Sequence, residues 1–147
     1  MKTTRSMLGM TLVEILIVLV ILGILAAVAL PTYQGSLRKS GRVAAKGALM
    51  DVAMRQEQFF INNKSYATAL AGLGLPDPYY FDKTTAQVAA TDSSRVYQLT
   101  LANTSATSYD AVATAVHNQS ADGCGNYTLK SDGTRSVSGA VGNGACW

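Results

Sequence analysis

Glu14 is the one charged side chain in the run MTLVEILIVLVILGILAAVAL, residues 10–30. A carboxylate at membrane depth costs a few kcal/mol on insertion scales and is by default paired or functional, so Glu14 calls for a cation. A cut after Gly9 would supply one, because Met10 would then carry a new α-amino group, mostly protonated at neutral pH. Within one helix Met10 and Glu14 form an i, i+4 pair, so the amine and the acid can meet inside a subunit. Helices packed side by side with an axial stagger offer the other solution: Glu14 of an incoming subunit meets the terminal amine of a subunit already in place, and a repeating polymer follows. The remaining reactive groups are few. His117, Cys124 and Cys146 are too few for a four-coordinate zinc site, and His117, at the end of an apparent strand, reads as a surface or loop residue. No metal site, no cofactor and no enzymatic reaction are expected.

Composition supports a structural reading. The chain has 147 residues, of which 48% are hydrophobic and only 14% charged, which fits one modest domain plus an apolar excess and excludes a large multidomain enzyme. Formal charge is +3, from 12 basic and 9 acidic residues; without Lys2 and Arg5, which lie ahead of Gly9, 10 basic residues remain and the balance falls to +1. Net charge therefore gives no ground for wholesale nucleic-acid binding.

The element that must carry Glu14 is the apolar run itself. About 21 residues at about 1.5 Å rise give a helix roughly 30 Å long, enough to cross a bilayer core. It is apolar on every side, and the rest of the chain is too small to surround it. Gly23 and Pro31 weaken the helix locally, one through backbone freedom and the other by lacking a donor and crowding the preceding turn. Ahead of it stands MKTTRSMLG, short, basic and ending in a small residue. In an ordinary secretory signal the cleavage site follows the apolar region; here the small residue precedes it, so cutting would leave the helix on the mature chain.

Basic leader, Gly9, the acid at the fifth mature position in MTLVE, an apolar helix and Pro31 near its end together resemble the class III signal of type IV prepilins and their pseudopilin relatives. The resemblance implies that Gly9 precedes the prepilin peptidase cut, that Met10 becomes the N-methylated first residue where most members have Phe, and that Glu14 is the assembly glutamate. It also implies that the stretch from Gly23 to Pro31 is the part of the helix that loses helical structure in filaments. The implied partners are other pilin subunits, prepilin peptidase, the inner-membrane assembly platform and, before assembly, membrane lipid.

Beyond Pro31, Ala45, Leu49, Val52, Gln56, Phe59 and Phe60 recur at three- to four-residue spacing, the pattern of an amphipathic helix with one face free to cover a sheet. A helix from Met10 to about Asn62 would be on the order of 80 Å long. Arg38, Lys39, Arg42, Lys46 and Arg55 load its second half with positive charge, read as a solvated or subunit-facing surface in preference to a DNA site. Basic residues are also more numerous after the span than before it, which by count alone would place the carboxyl domain in the cytoplasm. The leader and the cysteine pair argue the reverse, a periplasmic domain.

Ser65 could cap a short helix that Gly72, Gly74 and Pro76 end, and residues 76–95 read as loop with at most one short strand. Residues 96–102, 108–116 and 126–130 read as strands, with Asp132 and Gly133 at a hairpin turn into RSVSG. The expected fold is α+β: a long N-terminal helix on a roughly four-stranded antiparallel sheet. Cys124 and Cys146 lie in turn-like DGCGN and NGACW, and a disulfide fits them, with two reduced structural thiols as the alternative. Closing a loop of about 23 residues would contribute on the order of 3 kcal/mol. By resemblance this closed region is the pilin D-region, and AAKGALMDVAMRQEQFF, SYATALAGLGLP and CGNY…GACW most resemble the PilE-like branch, which includes minor pilins.

The expected plan is leader 1–9, transmembrane and assembly helix 10–31, amphipathic half-helix 32–62, connecting region 63–95, and sheet with disulfide-bonded region 96–147. The expected function is a structural subunit, a minor pilin held in the inner membrane before assembly and in the surface pilus after it, supporting twitching motility, adhesion or DNA uptake. The alternatives are a type II secretion pseudopilin and a competence pilin that holds DNA through Arg38 to Arg55 or through Lys83 and Arg95.

Overall fold

The structure, a computed structural model, describes residues 11–147. The leader, Gly9 and Met10 lie outside the described residues. Helix α1 (Leu12–Asn63) is 52 residues long, and the chain divides into two compact units, Met1–Ser36 and Leu37–Trp147.

In the first unit the large apolar side chains from Leu12 to Leu30 are all exposed, none by less than 44%. By length and composition α1 is able to cross a membrane. Thr11 opens the helix: the Glu14 N–H donates to Thr11 Oγ1 at 3.2 Å, satisfying one of the orphan donors of the first turn. Gly23 and Pro31 both fall inside α1, which runs through them. The Thr32 hydroxyl donates back to Val28 O at 3.2 Å.

In the second unit Ala44, Ala45, Ala48, Leu49, Val52 and Gln56 are buried, so the expected amphipathic face is the one covered. Its alanines allow close approach to the sheet. That sheet has six strands in the order β2-β1-β3-β4-β5-β6, with every pair antiparallel. The strands are β1 (Tyr79–Phe81), β2 (Gln87–Val88), β3 (Tyr97–Ala102), β4 (Asp110–Ala115), β5 (Tyr127–Lys130) and β6 (Arg135–Val137). Alternation puts Tyr97, Leu99, Ala111, Ala113, Tyr127 and Leu129 in the core. A file of rings crosses it, Tyr79–Phe81–Tyr97–Tyr127–Trp147, with centroids 5.5–6.0 Å apart.

The α+β architecture is as expected, with two corrections. The sheet has six strands instead of about four, because residues 76–95, read as loop, contribute β1 and β2. The periodic signal there is too short to see: β1 has three residues and β2 two, joined by a turn in which Asp82 accepts from the N–H groups of Thr84 and Ala86. The short helix after Ser65 is a 3-10 turn, Leu70–Leu73, with Ala69 and not Ser65 at its start and no side-chain cap. Gly74 ends it at φ 71°, a left-handed conformation suited to glycine. The expected hairpin at Asp132 and Gly133 is present, with Gly133 at φ 83° and Thr134 N–H bonded to Asp132 Oδ1. A last helix, α2 (Asn143–Cys146), follows β6.

Candidate functional site

Two regions hold the residues singled out by sequence. The first is the start of α1. Glu14 follows Thr11 by three residues, so it occupies the acidic position of a T-x-x-E capping sequence and lies in the helix's first turn, where the macrodipole favours an anion. The spacing of Thr11 and Glu14 alone signals that local role, which stands beside intersubunit pairing.

The second is a buried polar cluster joining α1 to the segment before β5. Arg42 donates through Nε to Asp122 Oδ2 at 2.8 Å and through a terminal nitrogen to Oδ1, a bidentate pair in which the Asp122 side chain is 1% exposed. Gln119 Nε2 donates to Asp122 Oδ2 at 2.9 Å, Arg38 O at 3.2 Å and Tyr97 Oη at 3.3 Å. Burial opposes ionisation of Asp122, but the bonds from Arg42, the Cys124 N–H and Gln119 outweigh it and hold the carboxyl below its ordinary range. The Arg42 guanidinium is raised by the same pair. Burial also pushes the Tyr97 and Tyr127 phenols up, and Tyr109 to about 12, so all three are neutral in the physiological range. The carboxylate is thereby fully occupied, which makes this a structural lock.

Cys124 and Cys146 form the disulfide, both buried. Lys46 Nζ and Tyr127 Oη donate to Cys146 O at 3.1 and 3.4 Å, tying the bridge to α1 and β5. His117 is exposed at the head of a 3-10 turn, His117–Ala121.

These contacts tie up three of the basic residues of α1 that were expected on a solvated or subunit-facing surface. Arg42 is committed to Asp122, Lys46 to Cys146 O, and Arg55 to Asp51 at 2.8 Å and Leu73 O at 3.1 Å. Lys83 is exposed in the β1–β2 turn, and nearby Arg95 lies over the Tyr80 ring at 5.9 Å. At the other end of the sheet Arg135 lies over Trp147 at 5.4 Å. These two cation–aromatic pairs were invisible in sequence, since each joins residues more than ten positions apart.

Residues 31–128 match the family described as type IV minor pilin ComP, DNA uptake sequence receptor, and residues 4–30 match the prokaryotic N-terminal methylation motif. The chain is 37% identical over 73 residues to the type IV major alpha-pilin of Moraxella bovis, covering 46% of each. It is 38% identical over 74 residues to the type IV wide pilus major component PilA4 of Thermus thermophilus, covering 48% of this chain and 56% of that one. To the type II secretion system core protein G of Dickeya chrysanthemi it is 33% identical over 70 residues, 48% of this chain and 46% of that one. The chain thus spans about half the length of the curated relatives it matches. A type IV pilin structure from Shewanella oneidensis aligns with 75% of this chain and 97% of its own at 21% identity, with a TM-score of 0.49.

Proposed function

The chain belongs to the ComP family of type IV pilins, and from that membership we propose that it is a minor pilin, built into a type IV pilus through its N-terminal helix. Family membership implies assembly with other pilin subunits and processing by prepilin peptidase. In the proposed sequence of events the peptidase cuts between Gly9 and Met10, Met10 is N-methylated, and the apolar part of α1 holds the subunit in the inner membrane with its sheet domain periplasmic. The assembly platform then passes the subunit into the fibre, where lipid is exchanged for neighbouring helices. Gly23 and Pro31 let the helix yield during that exchange. The observation that carries this reading is the methylation motif over residues 4–30, which runs into a helix whose large apolar side chains from Leu12 to Leu30 are all exposed and whose first turn holds one acid.

Glu14 has two competing settings: its own first turn, with the amine of its own Met10 after cleavage, and the amine of a neighbour. The Thr11 cap stabilises the isolated subunit's first turn, and the neighbour's amine decides whether the subunit joins. Glu14→Ala should leave membrane insertion intact and lower the chain's abundance in sheared fibres by about tenfold or more, a loss of at least about 1.4 kcal/mol. Mass spectrometry of those fibres reads the mature first residue, its methylation and its stoichiometry together. Unchanged abundance of the variant would refute the intermolecular pairing. Absence of the native chain from fibres, with a secretion defect on deletion, would assign it to a secretion pseudopilus.

A second reading, DNA contact by the assembled subunit, is favoured by the family's description as a DNA uptake sequence receptor. On this reading the contact falls to Lys83 and Arg95, and not to the committed cations of α1.

A further inference from the structure

The two edges of the sheet differ in how they end. The β2 edge is two residues long and offers little backbone to a new strand. At the β6 edge, Lys130 N–H bonds Thr134 O and Ser138 N–H bonds Asn126 O, so the even-numbered residues face β5. By the alternation of an antiparallel ladder, Arg135 O and Val137 N–H face outward. Both are occupied by one side chain: Val137 N–H donates to Asn143 Oδ1 at 2.8 Å, and Asn143 Nδ2 donates to Arg135 O at 2.8 Å. A single residue of a parallel strand makes the same two bonds, to the C=O of one residue and the N–H two further on. The Asn143 carboxamide therefore stands in for a seventh strand.

The segment that carries Asn143 is held at several further points. Trp147 Nε1 donates to Ser136 O at 3.1 Å, its indole packs on Tyr127, and Arg135 covers it. Cys146 is bonded to Cys124, and its carbonyl receives Lys46 and Tyr127. Gly139 crosses so close to Cys124 that a Cβ there would collide with the backbone of residues 123 and 124.

We infer that Asn143–Trp147 is a strap that closes the outer edge of β6 to strand addition, with the Cys124–Cys146 bridge as its latch. The strand it excludes is β6 of a second copy, because identical edges meeting antiparallel about a two-fold axis complement one another. Cys146 lies in the strap itself, so the disulfide ties the strap directly to Cys124, ahead of β5.

Amide exchange by NMR on the full chain in detergent micelles tests this, with Val112 in the central strand β4 as the internal reference. Asn143→Ala keeps the disulfide and should speed exchange at Val137 by on the order of tenfold while leaving Val112 unchanged. Asn143→Asp, which still accepts from Val137 but cannot donate to Arg135 O when ionised, should restore most of the protection. Cys124→Ala with Cys146→Ala should expose Val137 further and add a concentration-dependent dimer in light scattering beyond whatever α1 gives the native chain. Val137 exchange unmoved in Asn143→Ala, or raised there equally with Val112, would overturn the strap. Faster Val137 exchange in the double variant with no added dimer would overturn the exclusion of a second copy.

Discussion

Asp122 illustrates how a single residue can carry stability that no sequence pattern announces. Its carboxylate is buried against Arg42 and also receives Gln119 and the Cys124 N–H. Removing one partner of such a pair strands the other, an effect on the order of 3–5 kcal/mol. Arg42→Ala should therefore lower the thermal midpoint of the full chain in micelles far more than Lys39→Ala, an exposed cation three residues away. The pH dependence has a definite sign. The folded Asp122 pKa lies below its unfolded value of about 3.9, so the unfolded chain binds more protons in the acid range and stability rises with pH there. The contribution is complete above about pH 5 and is lost as pH falls through the folded pKa. Asp122→Asn should flatten the melting curve's pH dependence between about pH 2 and 5; an unaltered dependence would assign acid sensitivity elsewhere.

At the scale of elements, α1 shows what periodicity reveals and what it hides. The spacing Ala45, Leu49, Val52, Gln56 identified the buried face, yet Gln56 is there for a reason the apolar pattern does not contain. Its amide donates to Ala67 O at 3.0 Å and accepts from Ala67 N–H at 2.9 Å, so it closes the backbone of the chain leaving α1 in place of a strand neighbour. Gln56→Leu fills the volume but leaves both Ala67 groups unpaired, and should destabilise by about 2–5 kcal/mol, read as a fall in the denaturant midpoint at unchanged slope. Gln56→Glu, which can still accept from Ala67 N–H, should cost less. The long strands β3, β4 and β5 were legible because each alternates over four to six residues. Strands β1 and β2 were not, because β1 exists by pairing with β3 and β2 by pairing with β1, a tertiary effect without a local period. The disulfide was legible from its turn-rich surroundings, whereas the strap it latches depends on one asparagine whose meaning comes from its position beside β6.

For the whole molecule, the question is how a subunit with a formal charge of only +3, or +1 without the leader's two cations, could hold a polyanion. Net charge argues against it, and intramolecular bonds reduce the supply further by occupying Arg42, Lys46 and Arg55. What remains at the β1–β2 end is small: an exposed Lys83, and Arg95 held over Tyr80 with its guanidinium also donating to Asp92 O at 2.7 Å. A contact built from so few cations must be weak per subunit, gaining strength from repetition along a fibre through effective concentration. Its salt dependence should be correspondingly shallow. Two phosphate contacts give a slope of log K against log salt of about −1.8, against about −10 for a protein that neutralises many phosphates. Duplex DNA titrated into the full chain in micelles at several salt concentrations should show that shallow slope, and Lys83→Ala should reduce it by about one contact's worth. Arg55→Ala should leave the slope where it was, since that cation is already spent on Asp51 and Leu73. A slope that follows Arg55 instead of Lys83 would return the contact to α1, and no binding even at low salt would remove DNA from the function of the single subunit.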